Sequence, residues 1–185
     1  KNIKIDDWAA KQEPFMGPVI NLPTAYRLLE KQIQLQQAGG KILAAMQPTD
    51  RSLPFLTPGL IDMSHAKYTI DEEIFGPLLQ LFITDNIDSA IKLANSTEFG
   101  LSAGLISDSN DEQKLFLDNI RAGAITINLP TTGASSDLPF GGLGSSGNHR
   151  PSGYYAADYC TWPQAVRREI KITPNNIIPL PGLNK

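Results

Sequence analysis

What the chain has little of narrows it first. Its 185 residues hold one cysteine, Cys160, so no internal disulfide can form and a cytoplasmic, reducing setting is expected. Two histidines, His65 and His149, stand beside that cysteine, too few soft ligands for a structural zinc site. Charge of either sign is modest: Lys+Arg 16 against Asp+Glu 19 leaves a net −3. Neither nucleic acid nor a membrane surface is expected as a partner at that balance. No apolar run approaches the roughly 18 residues of a membrane span. The first methionine is Met16, and the opening from Lys1 lacks the apolar stretch and small-residue cleavage site of a signal peptide. This beginning predicts a piece of a longer protein.

What remains is an ordinary globular composition, 41% apolar, long enough to bury a core. Pro14, Gly17, Pro18 and Pro23 make residues 1–23 irregular. Thr24 reads as an N-cap for a helix over 25–38, with Ala25, Leu28, Leu29 and Ile33 on one side and Gly39-Gly40 as its stop. A short strand is expected over 41–46, then a proline-rich loop or edge over 47–59. Residues 77–84 read as a buried strand, and 101–107 and 123–129 as two further strands. Between them lie a helix capped by Asn86, with Ile87, Ala90, Ile91 and Ala94 on one face, and a helix opened by the Ser109…Glu112 capping box. That second helix should turn Leu115, Phe116 and Ile120 inward and end at Gly123. The fold class is therefore α/β, a parallel βαβαβ sheet with flanking helices. Residues 166–173 read as a further strand.

Six of the fifteen glycines fall in 130–153, an irregular stretch at the carboxyl end of a parallel strand, where such sheets place ligands. Gly142 to Gly147 matches G-x-G-x-x-G by letter. Pro139 precedes it, Pro151 follows, and no acid stands about 20 residues on, so it does not read as a dinucleotide loop. Cys160, among Tyr159, Thr161 and Trp162, reads as a packing cysteine. His149-Arg150 could hold an anionic substrate or be merely solvated. Asp71-Glu72-Glu73 could be an acid–base cluster, although pattern alone favours a solvated acidic turn.

Four motifs in order carry a resemblance. Asp71-Glu72-Glu73-Ile74-Phe75-Gly76-Pro77 resembles the E-E-x-F-G-P element of aldehyde dehydrogenases, and Ser96 to Ala103 their N-x-T-x-Y/F-G-L-x-A segment. Ala122 to Asn128 resembles their A-G-x-x-x-x-N strand. Pro139-Phe140-Gly141-Gly142 with Ser146-Gly147 resembles their P-F-G-G-x-x-x-S-G loop, which accounts for the G-x-G-x-x-G letters. The resemblance implies that residues 1–165 are the C-terminal portion of a catalytic domain and that 166–185 form an oligomerisation strand and tail. It implies an aldehyde substrate, NAD or NADP as cofactor, and a homo-oligomer. The family's nucleophilic cysteine and general base match nothing in this chain, so no catalytic residue is expected and the chain alone should be inactive. Glu73 matches the residue that accepts from the nicotinamide ribose hydroxyls, and Phe75 the aromatic beside the nicotinamide. Phe140 matches a wall of the aldehyde pocket. Gly133-Ala134 resembles the anchor loop that grips a substrate carboxylate in members acting on glutamate-type semialdehydes. Arg150 would suit a second carboxylate. One alternative keeps the family and takes the semialdehyde of unmodified glutamate as substrate; the other is a non-catalytic oligomerisation or binding module.

Overall fold

The computed structural model describes residues 3–67, 70–133, 135–147, 152–168 and 170–171. Helix α1 (Leu22–Gln37) opens the ordered part. Its N-cap is Asn21, whose side chain accepts the Thr24 N–H at 2.9 Å, so the helix starts earlier than Thr24. Pro23 fits that first turn because an N–H there needs no partner. The inward face is Thr24, Ala25, Leu28, Gln32 and Leu35, while Ile33, expected inward, is exposed.

Under α1 lies a three-stranded sheet of β1 (Lys41–Ala44), β2 (Gly59–Asp62) and β3 (Leu78–Leu81), in that order. β1 and β2 are antiparallel, and β2 and β3 parallel, with Gly59 opposite Leu78 and Asp62 opposite Leu81. Two clusters fill the space beneath the helix. Ala25 and Leu28 meet Met46 and Leu56, and Leu35 and Ala38 meet Ile61 and Met63. Each leucine, isoleucine or methionine among them contributes about 1.5–3 kcal/mol when fully buried. Gln32 is the buried polar exception. Its amide nitrogen donates to the Met46 carbonyl at 3.2 Å and its oxygen accepts the Met46 N–H at 2.7 Å, so the site is satisfied.

The second half carries α2 (Ile87–Ala94), β4 (Ser102–Leu105), α3 (Asn110–Asn119) and β5 (Ala124–Ile127), with β4 and β5 parallel. Asn86 caps α2 through the Ser89 N–H at 2.9 Å, as its side chain predicts. Ser109 caps α3, but Glu112 does not return to the Ser109 N–H. Its carboxylate takes the Ser107 hydroxyl, and the Ser107 oxygen accepts the Ser109 N–H at 3.1 Å. Phe116 is buried, and Leu115 and Ile120 are half-buried. The helix ends at Asn119, with Ile120 already extended, so Gly123 is not its stop.

The α/β class with parallel strands and flanking helices is present, but as two ladders. β3 pairs with β2, a strand unread in the sequence, rather than with β4. Burial of Ile61 and Met63 under α1 holds β2 in that place. Beyond β5, β6 (Pro139–Phe140) pairs antiparallel with β7 (Ser152–Gly153) around a 3-10 turn at Gly144–Ser146, and α4 (Ala156–Tyr159) follows. Cys160 is exposed, not packed, because α4 buries none of its residues. Among the described residues of the expected 166–173 strand, 166–168 and 170–171 are not in a strand; the others lie outside the described set.

Candidate cofactor and substrate site

The segment 73–76 alternates in what it buries. Ile74 packs onto both clusters under α1, and Gly76 lies so close to Leu28 that an added Cβ would meet its methyl at 2.5 Å. Glu73 and Phe75 are thereby left outward, with Phe75 75% exposed. Among the described residues no hydrogen bond engages the Glu73 carboxylate. Both border a cavity of about 480 Å3 whose other wall is α1, through Thr24, Arg27 and Lys31. Lys31 is paired with Glu72 at 2.5 Å, and the Arg27 guanidinium donates to the Thr24 hydroxyl at 3.0 Å. An outward carboxylate, an exposed aromatic face and a guanidinium around one cavity fit a ligand with a diol, a flat ring and negative charge. A nicotinamide nucleotide has that chemistry.

The acidic run is more than a solvated turn. One Asp71 oxygen accepts the Thr97 hydroxyl at 2.6 Å and the other the Glu98 N–H at 2.8 Å. The Thr97 hydroxyl, and then the Glu98 amide, hold the Asp71 carboxyl below the usual aspartate range. Residues 97–100 in turn bind the glycine-rich loop. The Ser145 N–H donates to the Glu98 carbonyl at 2.7 Å, and the Leu143 N–H to the Gly100 carbonyl at 3.0 Å. Gly100 N–H donates to the Ser146 hydroxyl at 3.2 Å. Gly142 to Gly147 thus folds as a turn tied sideways to 97–100, with no helix opening from it. The loop also needs Gly123. A Cβ there would lie 1.6 Å from the Gly141 carbonyl oxygen, so only glycine admits this approach.

Phe140, in β6, is half-buried, and Gly133 is exposed with φ 98°, a left-handed conformation that glycine alone adopts without strain. Gly133 and Phe140 line neither the cavity beside Glu73 and Phe75 nor the one between β3 and β4. Ala134, His149 and Arg150 lie outside the described residues. A second cavity, of about 660 Å3, separates β3 from β4 and brings Glu73 and Asp71 to the same opening as Gln80, Thr97 and Ser146. Among the described residues no group of His, Cys, Asp and Glu could hold a metal ion. No described helix is long and apolar enough to cross a membrane.

Contacts thus link the four motifs in space, Asp71 to Thr97, Gly100 to Ser146 and Gly123 to Gly141, and the aldehyde dehydrogenase family model matches residues 1–166. The chain belongs to the aldehyde dehydrogenase family. It is 48% identical over 99% of its length to the N-succinylglutamate 5-semialdehyde dehydrogenase of Legionella pneumophila strain Corby, of which it spans 37%. The enzyme of the same name from Hahella chejuensis is 48% identical over 89% of the chain, which covers 34% of it. The chain thus spans about a third of the length of the curated relatives it matches. Among solved structures, aldehyde dehydrogenase 21 from Physcomitrella patens, in complex with the reaction product succinate, aligns with TM-score 0.72 at 25% identity. That match covers 84% of this chain and 32% of the other. An indole-3-acetaldehyde dehydrogenase from P. syringae, solved with NAD+ and IAA, aligns at 0.68 and 26%, over 76% of this chain and 29% of the other.

For this aldehyde dehydrogenase chain, the sequence reading missed Thr24, Arg27 and Lys31. Their spacing was the available signal, since positions i, i+3 and i+7 share a helix face, beside the apolar stripe of Ala25 and Leu28. What faces Thr24, Arg27 and Lys31 across the cavity, Glu72 to Phe75, lies far along the chain and is brought there by tertiary packing alone.

Proposed function

We propose that this chain is the C-terminal part of the catalytic domain of an NAD(P)-dependent aldehyde dehydrogenase that oxidises N-succinylglutamate 5-semialdehyde to N-succinylglutamate in arginine breakdown. The observation that carries this reading is 48% identity across 99% of the chain to enzymes of that name. When bound, the nicotinamide cofactor accepts hydride from the aldehyde carbon. Toward it, Glu73 accepts from both ribose hydroxyls, one at each carboxylate oxygen, in charge-assisted bonds that a neutral amide does not make. Phe75 presents its exposed face to the nicotinamide ring. Phe140 walls the aldehyde pocket. The backbone N–H groups of Gly133 and Ala134 hold one substrate carboxylate and Arg150 pairs with the other. The chain supplies no nucleophile, and Cys160 does not match the family's, so the chain alone is inactive. The apolar and polar edges facing the cleft between β3 and β4 are covered by the remainder of the domain, and residues 166–185 join subunits of a cytoplasmic homo-oligomer.

The test uses the protein of full family length and follows NADH formation with the succinylated and the unmodified glutamate semialdehyde. A higher kcat/KM for the succinylated aldehyde is expected. Preference for the unmodified one reassigns the substrate, and no NAD reduction with either removes the reading. Turnover by the 185-residue chain alone, abolished in Cys160→Ala, would overturn the absence of a nucleophile.

A further inference from the structure

Asp71 is assigned no role by the family resemblance, yet it makes the connection between the two halves of the candidate site. It stands two residues before Glu73. Its two oxygens are each occupied, one by the Thr97 hydroxyl at 2.6 Å and one by the Glu98 N–H at 2.8 Å. Thr97 is fixed in turn, because its hydroxyl oxygen accepts the Phe99 N–H at 3.1 Å. From there the Glu98 and Gly100 carbonyls accept the Ser145 and Leu143 N–H groups at 2.7 and 3.0 Å, in the loop that follows Phe140. We infer that Asp71 is a positioning residue that sets Glu73 relative to the glycine-rich loop, and so sets the cofactor side of the site against the aldehyde side.

The alternative is that Asp71 merely holds the 97–100 turn. The two differ in what a substitution does. The Glu98 N–H can only donate, whereas the Thr97 hydroxyl can turn to accept. Asp71→Asn keeps size and shape and can keep both bonds, with its oxygen on the Glu98 N–H and its NH2 on the Thr97 oxygen, but it removes the charge that strengthens them. A turn-holding role lowers stability and touches every kinetic parameter alike. A positioning role acts through Glu73.

The inference rests on the proposed function for its kinetic arm. In the full-length protein, Asp71→Asn is expected to raise the KM for NAD about tenfold with the aldehyde KM unchanged, as two charge-assisted bonds become neutral ones. In the Glu73→Gln background, Asp71→Asn should add little further, because its effect passes through the same carboxylate. An unchanged NAD KM, or losses that simply multiply in the double variant, overturns the inference. A second arm is independent of activity: Asp71→Asn should speed amide exchange at Glu98 and, through it, at Ser145. Unaltered exchange there overturns the relay even if the wild type reduces NAD. A wild type that reduces no NAD counts against the proposed function, and the exchange arm still decides the relay.

Discussion

The two halves of the chain, divided after β3, have the same kinds of element and bury them very differently. Between Thr24 and Met63 lie eight of the ten buried apolar side chains among the described residues, all on α1, at its end or packed beneath it. The second half contributes only Ile91 and Phe116. Several of its other apolar groups are only half-buried, and some stand open: Ile106 is 88% exposed, and on the far side of the cleft Leu79 is 65% exposed. Ala90 and Ala94, expected inward, are exposed and line a cleft of about 500 Å3 beside β3. The first half closes its own core around one helix. The second has its strands and caps in place without a layer to cover them, as a sheet does when its covering elements come from elsewhere in the sequence. The candidate site straddles the junction, with Glu73 and Phe75 on the closed half and the glycine-rich loop on the open one.

The largest effect should break the comparison on its strong side. Leu35→Ala, fully buried, should cost about 2–5 kcal/mol in denaturant unfolding of this chain. Leu79→Ala in the same chain should stay within about 0.5 kcal/mol, and a cost above about 1.5 kcal/mol only in the full-length protein would show that the cleft is covered there. Equal costs in both settings would mean the open half is already complete. Next, Gly123→Ala should cost about 1–3 kcal/mol and displace the loop, since the Gly141 oxygen occupies its Cβ position. Unaltered stability together with unaltered activity would show that the loop is not held there.

A similar size is expected on function for Glu73→Gln in the full-length protein. It should weaken cofactor use tenfold to a hundredfold through about 1.5–3 kcal/mol of lost charge-assisted bonding. The melting temperature should hold, because the side chain is exposed. Identical NAD kinetics would retire the ribose assignment.

Caps give smaller changes. Asn86→Ala should remove about 1 kcal/mol, read by thermal unfolding. Such features were legible in the sequence because they are local: Asn86 and Ser109 meet N–H groups three residues on. The Ser107 detour of Glu112 was not, since it depends on where β4 releases the chain. β2 was not legible either. It is four residues long and opens directly from the proline-rich loop, and its place between β1 and β3 comes from Ile61 packing under a helix some 25 residues away. The family motifs located Glu73 and Phe75, but not the wall opposite them, because no local pattern says which helix face a distant segment meets.

The smallest effect concerns acid. Asp62 and Asp71 both sit below the ordinary aspartate value, chiefly through the hydroxyls of Ser64 and Thr97. A lowered folded value adds stability above the unfolded pKa of about 3.9, and that increment disappears as pH falls through the folded value. Asp71→Asn should therefore flatten the acid limb of the stability curve slightly, and an identical limb would show the Thr97 contact to be energetically silent.

Gln32 gives the first half one more property. Its amide meets the Met46 N–H and carbonyl together, just past the end of β1, much as a neighbouring strand would. β1 is the outer strand on that side, so this stretch of backbone has no donor and acceptor pair left to template a foreign chain. A helix side chain thus serves as a one-residue strand that cannot be extended. Losing it, as in Gln32→Leu, would leave two buried main-chain groups without partners and a sticky margin, a route from a single polar substitution to aggregation at unchanged hydrophobicity elsewhere.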